Sequence, residues 1–158
     1  MQLDRLDQRI LTILQDDCTR SHAQIGEEVG LSGSAVRRRI QAMRDGGVIA
    51  REVAILSEQA GVGGITVVVT VTFERETQEA YDAFRDAMRR EERVLQCYAT
   101  AGQFDFVVVV AAKSPEDYER WGEATLMSNP ALRRYDSFVV WSTVKFTTKR
   151  PVWGPAGE

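Results

Sequence analysis

The sequence predicts an α+β protein in two parts: a helical head over residues 1–50 and a β-α-β-β-α-β body over residues 65–148. Three observations lead there. Apolar residues recur at three- and four-residue spacing through the first 43 positions, the mark of amphipathic helices. Runs rich in β-branched residues, ITVVVTVTF and FVVVVAA, appear only after residue 64, as strands require. Between the two lies SEQAGVGG, three glycines in eight residues without periodicity, a linker composition.

The first helix carries Leu3, Leu6, Ile10, Ile13 and Leu14 as one stripe and should end near Asp17. Its stripe supports a core. Residues 18–22 connect it to a second helix, capped by Ser21 or by Thr19. Ile25 and Val29 form that helix's apolar side. Gly30 and Leu31 make a turn, where glycine can take a left-handed conformation. Ser32 then caps a third helix whose inward side is Val36, Ile40 and Met43. Gly46 and Gly47 stop it. Residues 51–56, REVAIL, alternate polar and apolar side chains as an edge strand would.

In the body, residues 65–73 read as a strand. Residues 77–90 read as a helix facing inward with Ala80, Phe84, Ala87 and Met88. Two strands follow, 94–101 and 104–112, joined at the Gly102-Gln103 turn. Ser114-Pro115-Glu116-Asp117 opens the second helix with a serine cap, proline at the first position and acids at the N-terminus. Tyr118, Trp121, Ala124 and Thr125 make its inward side. The last strand is expected over 135–147, and residues 149–158 as an irregular tail. Two split β-α-β units give a ferredoxin-like sheet with both helices on one face. Its strands are apolar at most positions, so the bare face needs cover, most simply the same face of a second subunit.

A short helix, a glycine turn and a basic amphipathic helix are the parts of a major-groove reader. The alternative is a plain helical hairpin with a solvated arginine run. The net charge of −3 argues against coating nucleic acid by charge alone. Residues 1–54 hold eight basic and eight acidic side chains, which leaves specific binding through one patch. Ser32, Ser34 and Ala35 at the start of the third helix would approach bases or phosphates. Arg37 and Arg38 would grip phosphate or guanine. With two distant cysteines and one histidine, His22, there is no set of about four ligands for a zinc finger. No cofactor is implied. The N-terminus lacks a signal-peptide run and the apolar runs are too short to span a bilayer as helices, so a soluble cytoplasmic protein without membrane contact is expected.

The whole chain resembles the Lrp/AsnC, or feast/famine, transcription regulators. The resemblance is carried by Leu3-Asp4, Leu6-Asp7, Ile10-Leu11 and Leu14-Gln15-Asp16. It continues through Ile25-Gly26, Val29-Gly30-Leu31-Ser32, Val36, Arg39-Ile40 and Gly46-Gly47-Val48-Ile49, then 102–106 (GQFDF), Val139-Val140 and Val144-Lys145. It implies a winged-type helix-turn-helix on double-stranded DNA and an amino-acid-sensing ferredoxin-like domain. It also implies homodimers that assemble further, commonly to octamers. Arg39 matches a family position, which makes it a DNA contact or a buttress of the fold. Ala50-Arg51 replaces the usual Gly-Tyr, Phe106 replaces a tyrosine, and Gln103 stands where an acidic residue or asparagine is common.

The effector is expected at the Gly102-Gln103 hairpin. Glycine there lets backbone N–H groups approach an α-carboxylate. Asp105 would hold the α-ammonium, and Tyr98 and Phe104 would line the side-chain pocket. Gln103 adds no charge, so an uncharged or aromatic amino acid is expected. The mechanism that the resemblance implies is regulation of amino-acid-related genes by an effector bound between subunits. Two rivals stand beside it. An architectural protein would wrap duplex without an effector. A dimeric ferredoxin-like enzyme would need a catalytic cluster, and none is apparent.

Overall fold

The computed structural model describes residues 2–57 and 63–152. They form two compact units, one from the residues up to Ile55 together with those from Lys145 on, the other from Leu56–Val144.

The first unit holds α1 (Arg5–Asp16), α2 (His22–Val29) and α3 (Gly33–Asp45). α1 begins at a reciprocal cap. The Asp7 N–H donates to Asp4 Oδ1 at 2.8 Å, and the Asp4 N–H to Asp7 Oδ2 at 3.1 Å. Each carboxylate thus satisfies a backbone donor that the first helical turn leaves free. Ser21, not Thr19, caps α2: the Ser21 hydroxyl accepts from the Gln24 N–H. Thr19 turns instead to Asp17, to which its N–H and hydroxyl both donate. The three helices close over Ile10, Ile25, Val36, Ile40 and Met43, each at most 1% exposed.

The turn between α2 and α3 demands glycine twice. Gly30 has φ 77°, the left-handed region. The Gly26 carbonyl accepts from both the Gly30 and Leu31 N–H groups at 2.9 Å. That wrap brings the Leu31 carbonyl oxygen to 2.4 Å from where a β-carbon on Gly26 would lie. After α3 the chain is irregular. The edge strand expected over residues 51–56 is not formed among the described residues, and neither is a wing. Val53, Ile55 and Leu56 stand exposed. Of the expected linker, residues 58–62 lie outside the described part.

Residues 145–152 were expected to include the start of a separate tail. They have no regular structure but pack with the head. The Arg150 N–H donates to Gln15 Oε1 at 2.6 Å and its carbonyl accepts from Gln15 Nε2 at 3.0 Å. Lys149 pairs with Asp16, and Val152 packs against the helical core.

The second unit holds β1 (Ile65–Phe73), α4 (Gln78–Arg90), β2 (Val94–Ala99), β3 (Phe106–Ala112), α5 (Pro115–Gly122) and β4 (Leu132–Val139). The strands are antiparallel in the order β2-β3-β1-β4. Val67, Val69, Val71 and Phe73 of β1 join Phe106, Val108 and Val110 of β3, Phe84 and Met88 of α4, and Trp121 of α5 in one core. Both helices therefore cover one face. Val68, Val107 and Val109 alternate onto the other.

Two expectations shift. β4 runs over residues 132–139, not 135–147. Its ladder ends where the Val140 N–H meets the Thr66 carbonyl at 2.8 Å, because β1 offers little beyond Ile65 to pair with. Trp141 and Val144 beyond it are each 97% exposed. α5 continues into one π-helical turn, Glu123–Met127. The wider turn moves the inward position from Ala124 to Leu126, which is 1% exposed while Ala124 lies outside.

Candidate nucleic-acid interface and effector hairpin

α3 is built to present its N-terminus and one polar side. The Ser32 hydroxyl accepts from the Ala35 N–H at 3.2 Å and lies 3.0 Å from the Ser34 hydroxyl. Ser32 and Ser34 are exposed, and Ala35 is half-buried. Val36, Ile40 and Met43 hold the opposite side in the core. Arg37 and Arg38 are exposed and have no side-chain partner among the described residues. An unpaired guanidinium offers five donors to a phosphate or a guanine edge.

Arg39 is different. Its Nη1 donates to Asp4 Oδ2 and to Asp7 Oδ1, both at 2.7 Å. The Asp7 side chain is 6% exposed, so this pair ties α3 to the cap of α1 from within. The Asp4 carboxyl is held below its ordinary range, first by the Asp7 N–H and then by the Arg39 guanidinium. Of the two roles open to Arg39, the geometry favours the buttress, and it is set apart from Arg37 and Arg38.

The expected effector residues sit on one hairpin but do different things. The Thr100 N–H donates to the Asp105 carbonyl at 2.9 Å, the Thr100 hydroxyl donates to the Phe104 carbonyl, and the Asp105 N–H donates to the Val71 carbonyl at 2.9 Å. Gly102 and Gln103 are exposed at the tip, with Gly102 at φ 156°. Tyr98 is exposed on β2, Phe104 is half-buried, and no ring contact joins them among the described residues. Asp105 is engaged inward. Its Oδ2 accepts from the Phe73 N–H at 2.7 Å, and its Oδ1 accepts from the Tyr81 hydroxyl of α4. Tyr81 in turn meets Phe73 and Phe106 edge-on, with centroids 5.0 and 5.3 Å apart. Asp105 thus anchors the hairpin to β1 and α4. Tyr81 carries no signal in the sequence that would have assigned it this part.

That bond has a pH signature. As acceptor, the Asp105 carboxylate holds the Tyr81 phenol up at about 12, from an ordinary 10.0, with burial adding to the shift. A raised pKa in the fold means the neutral phenol is favoured there. Its stabilisation is whole below pH 10.0 and is lost as pH rises from 10.0 through about 12. Asp105→Asn is expected to bring the Tyr81 midpoint back toward 10.0 and to flatten that alkaline loss. Phenolate absorbance, with Tyr81→Phe as the blank, measures it; an unmoved midpoint would remove Asp105 as the cause.

A helix-turn-helix head with free arginines on its third helix, joined to a ferredoxin-like body, defines a two-domain DNA-binding regulator. The chain belongs to the Lrp/AsnC family. Residues 3–44 match the AsnC-type helix-turn-helix domain and residues 66–150 the Lrp/AsnC ligand binding domain. These are transcriptional regulators, not enzymes. Over 152 residues the chain is 32% identical to an HTH-type transcriptional regulator of Sinorhizobium fredii, covering 96% of this chain and 90% of that one. It superposes on an AsnC family transcriptional regulator from Agrobacterium tumefaciens with TM-score 0.86 at 30% identity, over 94% and 97% of the two chains. A second solved relative is a transcriptional regulator from Neisseria meningitidis in complex with L-methionine. Its TM-score is 0.86 at 27% identity, over 94% of this chain and 96% of that one. Among the described residues, no helix is long and apolar enough to cross a membrane.

Proposed function

We propose that this protein is a cytoplasmic, sequence-specific regulator of amino-acid-related genes. It would act as a homodimer or a larger assembly such as an octamer. The observation that carries the reading is the exposed side of α3, where Ser32, Ser34, Arg37 and Arg38 stand together and both arginines lack partners among the described residues. Two such helices in a dimer enter successive major grooves about 34 Å apart. Arg37 and Arg38 take phosphate or guanine, the two serines and Ala35 meet the groove at the helix start, and Arg39 holds the helix in register.

Two unpaired features support self-association. One is the helix-free sheet face, with Val68, Val107, Val109, Tyr98 and Phe138. The other is the extended segment bearing Val53, Ile55 and Leu56. Apolar surface of this kind marks a protein interface. The methionine complex of the Neisseria relative supports an amino-acid effector. At the hairpin, N–H groups near Gly102 and Gln103 take its carboxylate. Asp105 keeps outer lone pairs for the ammonium beside its two internal bonds, and Tyr98 and Phe104 border an uncharged or aromatic side chain.

A gel-shift salt titration, run with and without a panel of amino acids, tests this. Arg37→Ala/Arg38→Ala is expected to weaken binding and flatten the salt dependence, by a slope of roughly 4 if both arginines of each subunit in a dimer contact phosphate. The fold survives, because neither side chain faces the core. Arg39→Ala behaves otherwise. It costs the head about 2–3 kcal/mol by stranding the Asp7 carboxylate, with the slope unchanged for the protein that remains folded. An unaltered affinity and slope in the Arg37/Arg38 variant would overturn the interface. A titration insensitive to every amino acid would overturn the effector.

A further inference from the structure

Beneath α4, against β2, lies a cleft of about 380 Å³ that is separate from the exposed hairpin tip. Its volume is within the range of about 300–1,000 Å³ that small-molecule sites take. Its floor is apolar: Met88, Val94 and Phe106. Its charged members are Arg85 and Arg89, one helical turn apart on α4, and no carboxylate lines it. The Arg85 guanidinium carbon lies 5.7 Å from the centroid of the Phe106 ring and 5.8 Å from that of Tyr81, within cation–π reach of both. Each arginine spends only its Nη1 on a protein partner: Arg85 on Asp82 at 2.8 Å, Arg89 on Asp86 at 2.6 Å. Those aspartates are more than half exposed, and exposed pairs of this kind hold weakly. The remaining N–H donors of both arginines have no partner among the described residues.

We propose that this cleft binds a small aliphatic carboxylate, with the acid gripped by Arg85 and Arg89 and the hydrocarbon on Met88, Val94 and Phe106. An α-ammonium finds no anion in the lining, so the cleft prefers a plain carboxylic acid to the corresponding amino acid. This site is independent of how α3 and the hairpin are read. Cys97 reports on it. The thiol lines the cleft, and the fields of Arg85 and Arg89 reach it, opposing the upward push that burial gives its pKa.

In the full chain carrying Cys18→Ser, Cys97 is the remaining cysteine, and its alkylation by iodoacetamide measures occupancy. 4-Methylpentanoate is expected to slow alkylation saturably. 4-Methylpentanamide, which loses a charge-assisted contact, and leucine, whose ammonium meets two cations and no anion, should each need roughly tenfold more or fail altogether. Arg85→Gln/Arg89→Gln removes the protection, and Arg85→Lys/Arg89→Lys retains part of it. Circular dichroism confirms that each variant is folded, and Arg85→Gln alone replaces the double variant if that one is not. The proposal fails if the acid and its amide protect equally, if the glutamine variant is protected as well as the parent, or if the acid gives no protection up to its solubility.

Discussion

Val69→Asp is expected to unfold the 56–144 unit, while Val68→Asp leaves it folded and changes its association. The two residues are neighbours on β1, but their side chains point to opposite faces. Val69 is fully buried in the core beneath α4 and α5. An unpaired carboxylate there costs several kcal/mol, a large share of the roughly 5–15 kcal/mol that holds a domain together. Val68 lies half-buried on the helix-free face, opposite Val109 and Phe138 on its flanking strands. A charge there meets solvent in the single chain and an apolar partner in a dimer. Circular dichroism and sedimentation separate the outcomes. A folded Val69→Asp protein would refute the core assignment, and an unchanged sedimentation coefficient for Val68→Asp would refute association through this face.

The second large effect is expected from one methyl group. Gly26→Ala places a β-carbon at 2.4 Å from the Leu31 carbonyl oxygen. The obstacle is backbone, and that backbone is held by the Gly30 and Leu31 N–H bonds to the Gly26 carbonyl. The turn must open, which costs about 3 kcal/mol and shifts α3 away from α2. DNA binding should be lost, and the head should melt earlier while the signals of the 56–144 unit stay in place. Site-resolved hydrogen exchange would show it, and equal protection in the head of both proteins would mean the turn yields freely.

The parts read correctly from sequence are those whose cause is local. β1 spans the expected residues because ITVVVTVTF is β-branched at every position but its last, Phe73. Ser32 and Ser114 cap their helices because a serine hydroxyl three residues before a free N–H needs nothing else. The misread parts depend on what lies elsewhere in the chain. Residues 141–147 have a strand's composition but little of β1 left to pair with. Ala124 has the right helical spacing, yet one π-helical turn sets it outside. The inward bonds of Asp105 leave no trace in the sequence, because Tyr81, which donates to it, lies 24 residues earlier. Arg37, Arg38 and Arg39 are identical as letters. Only Arg39 finds Asp4 and Asp7, more than 30 residues upstream. The cleft between Arg85 and Cys97 has no sequence pattern at all.

The clasp between Gln15 and Arg150 joins positions 135 residues apart. During synthesis the three head helices emerge first and can collapse on local contacts, which form fast. Yet Gln15 and Asp16 wait for their partners until the entire 56–144 unit has left the ribosome. The head is therefore the first part to take shape and the last to be finished. A chain interrupted before residue 149 carries a head whose first helix lacks this clasp, so synthesis of the segment beyond the 56–144 unit is itself a step in finishing the head.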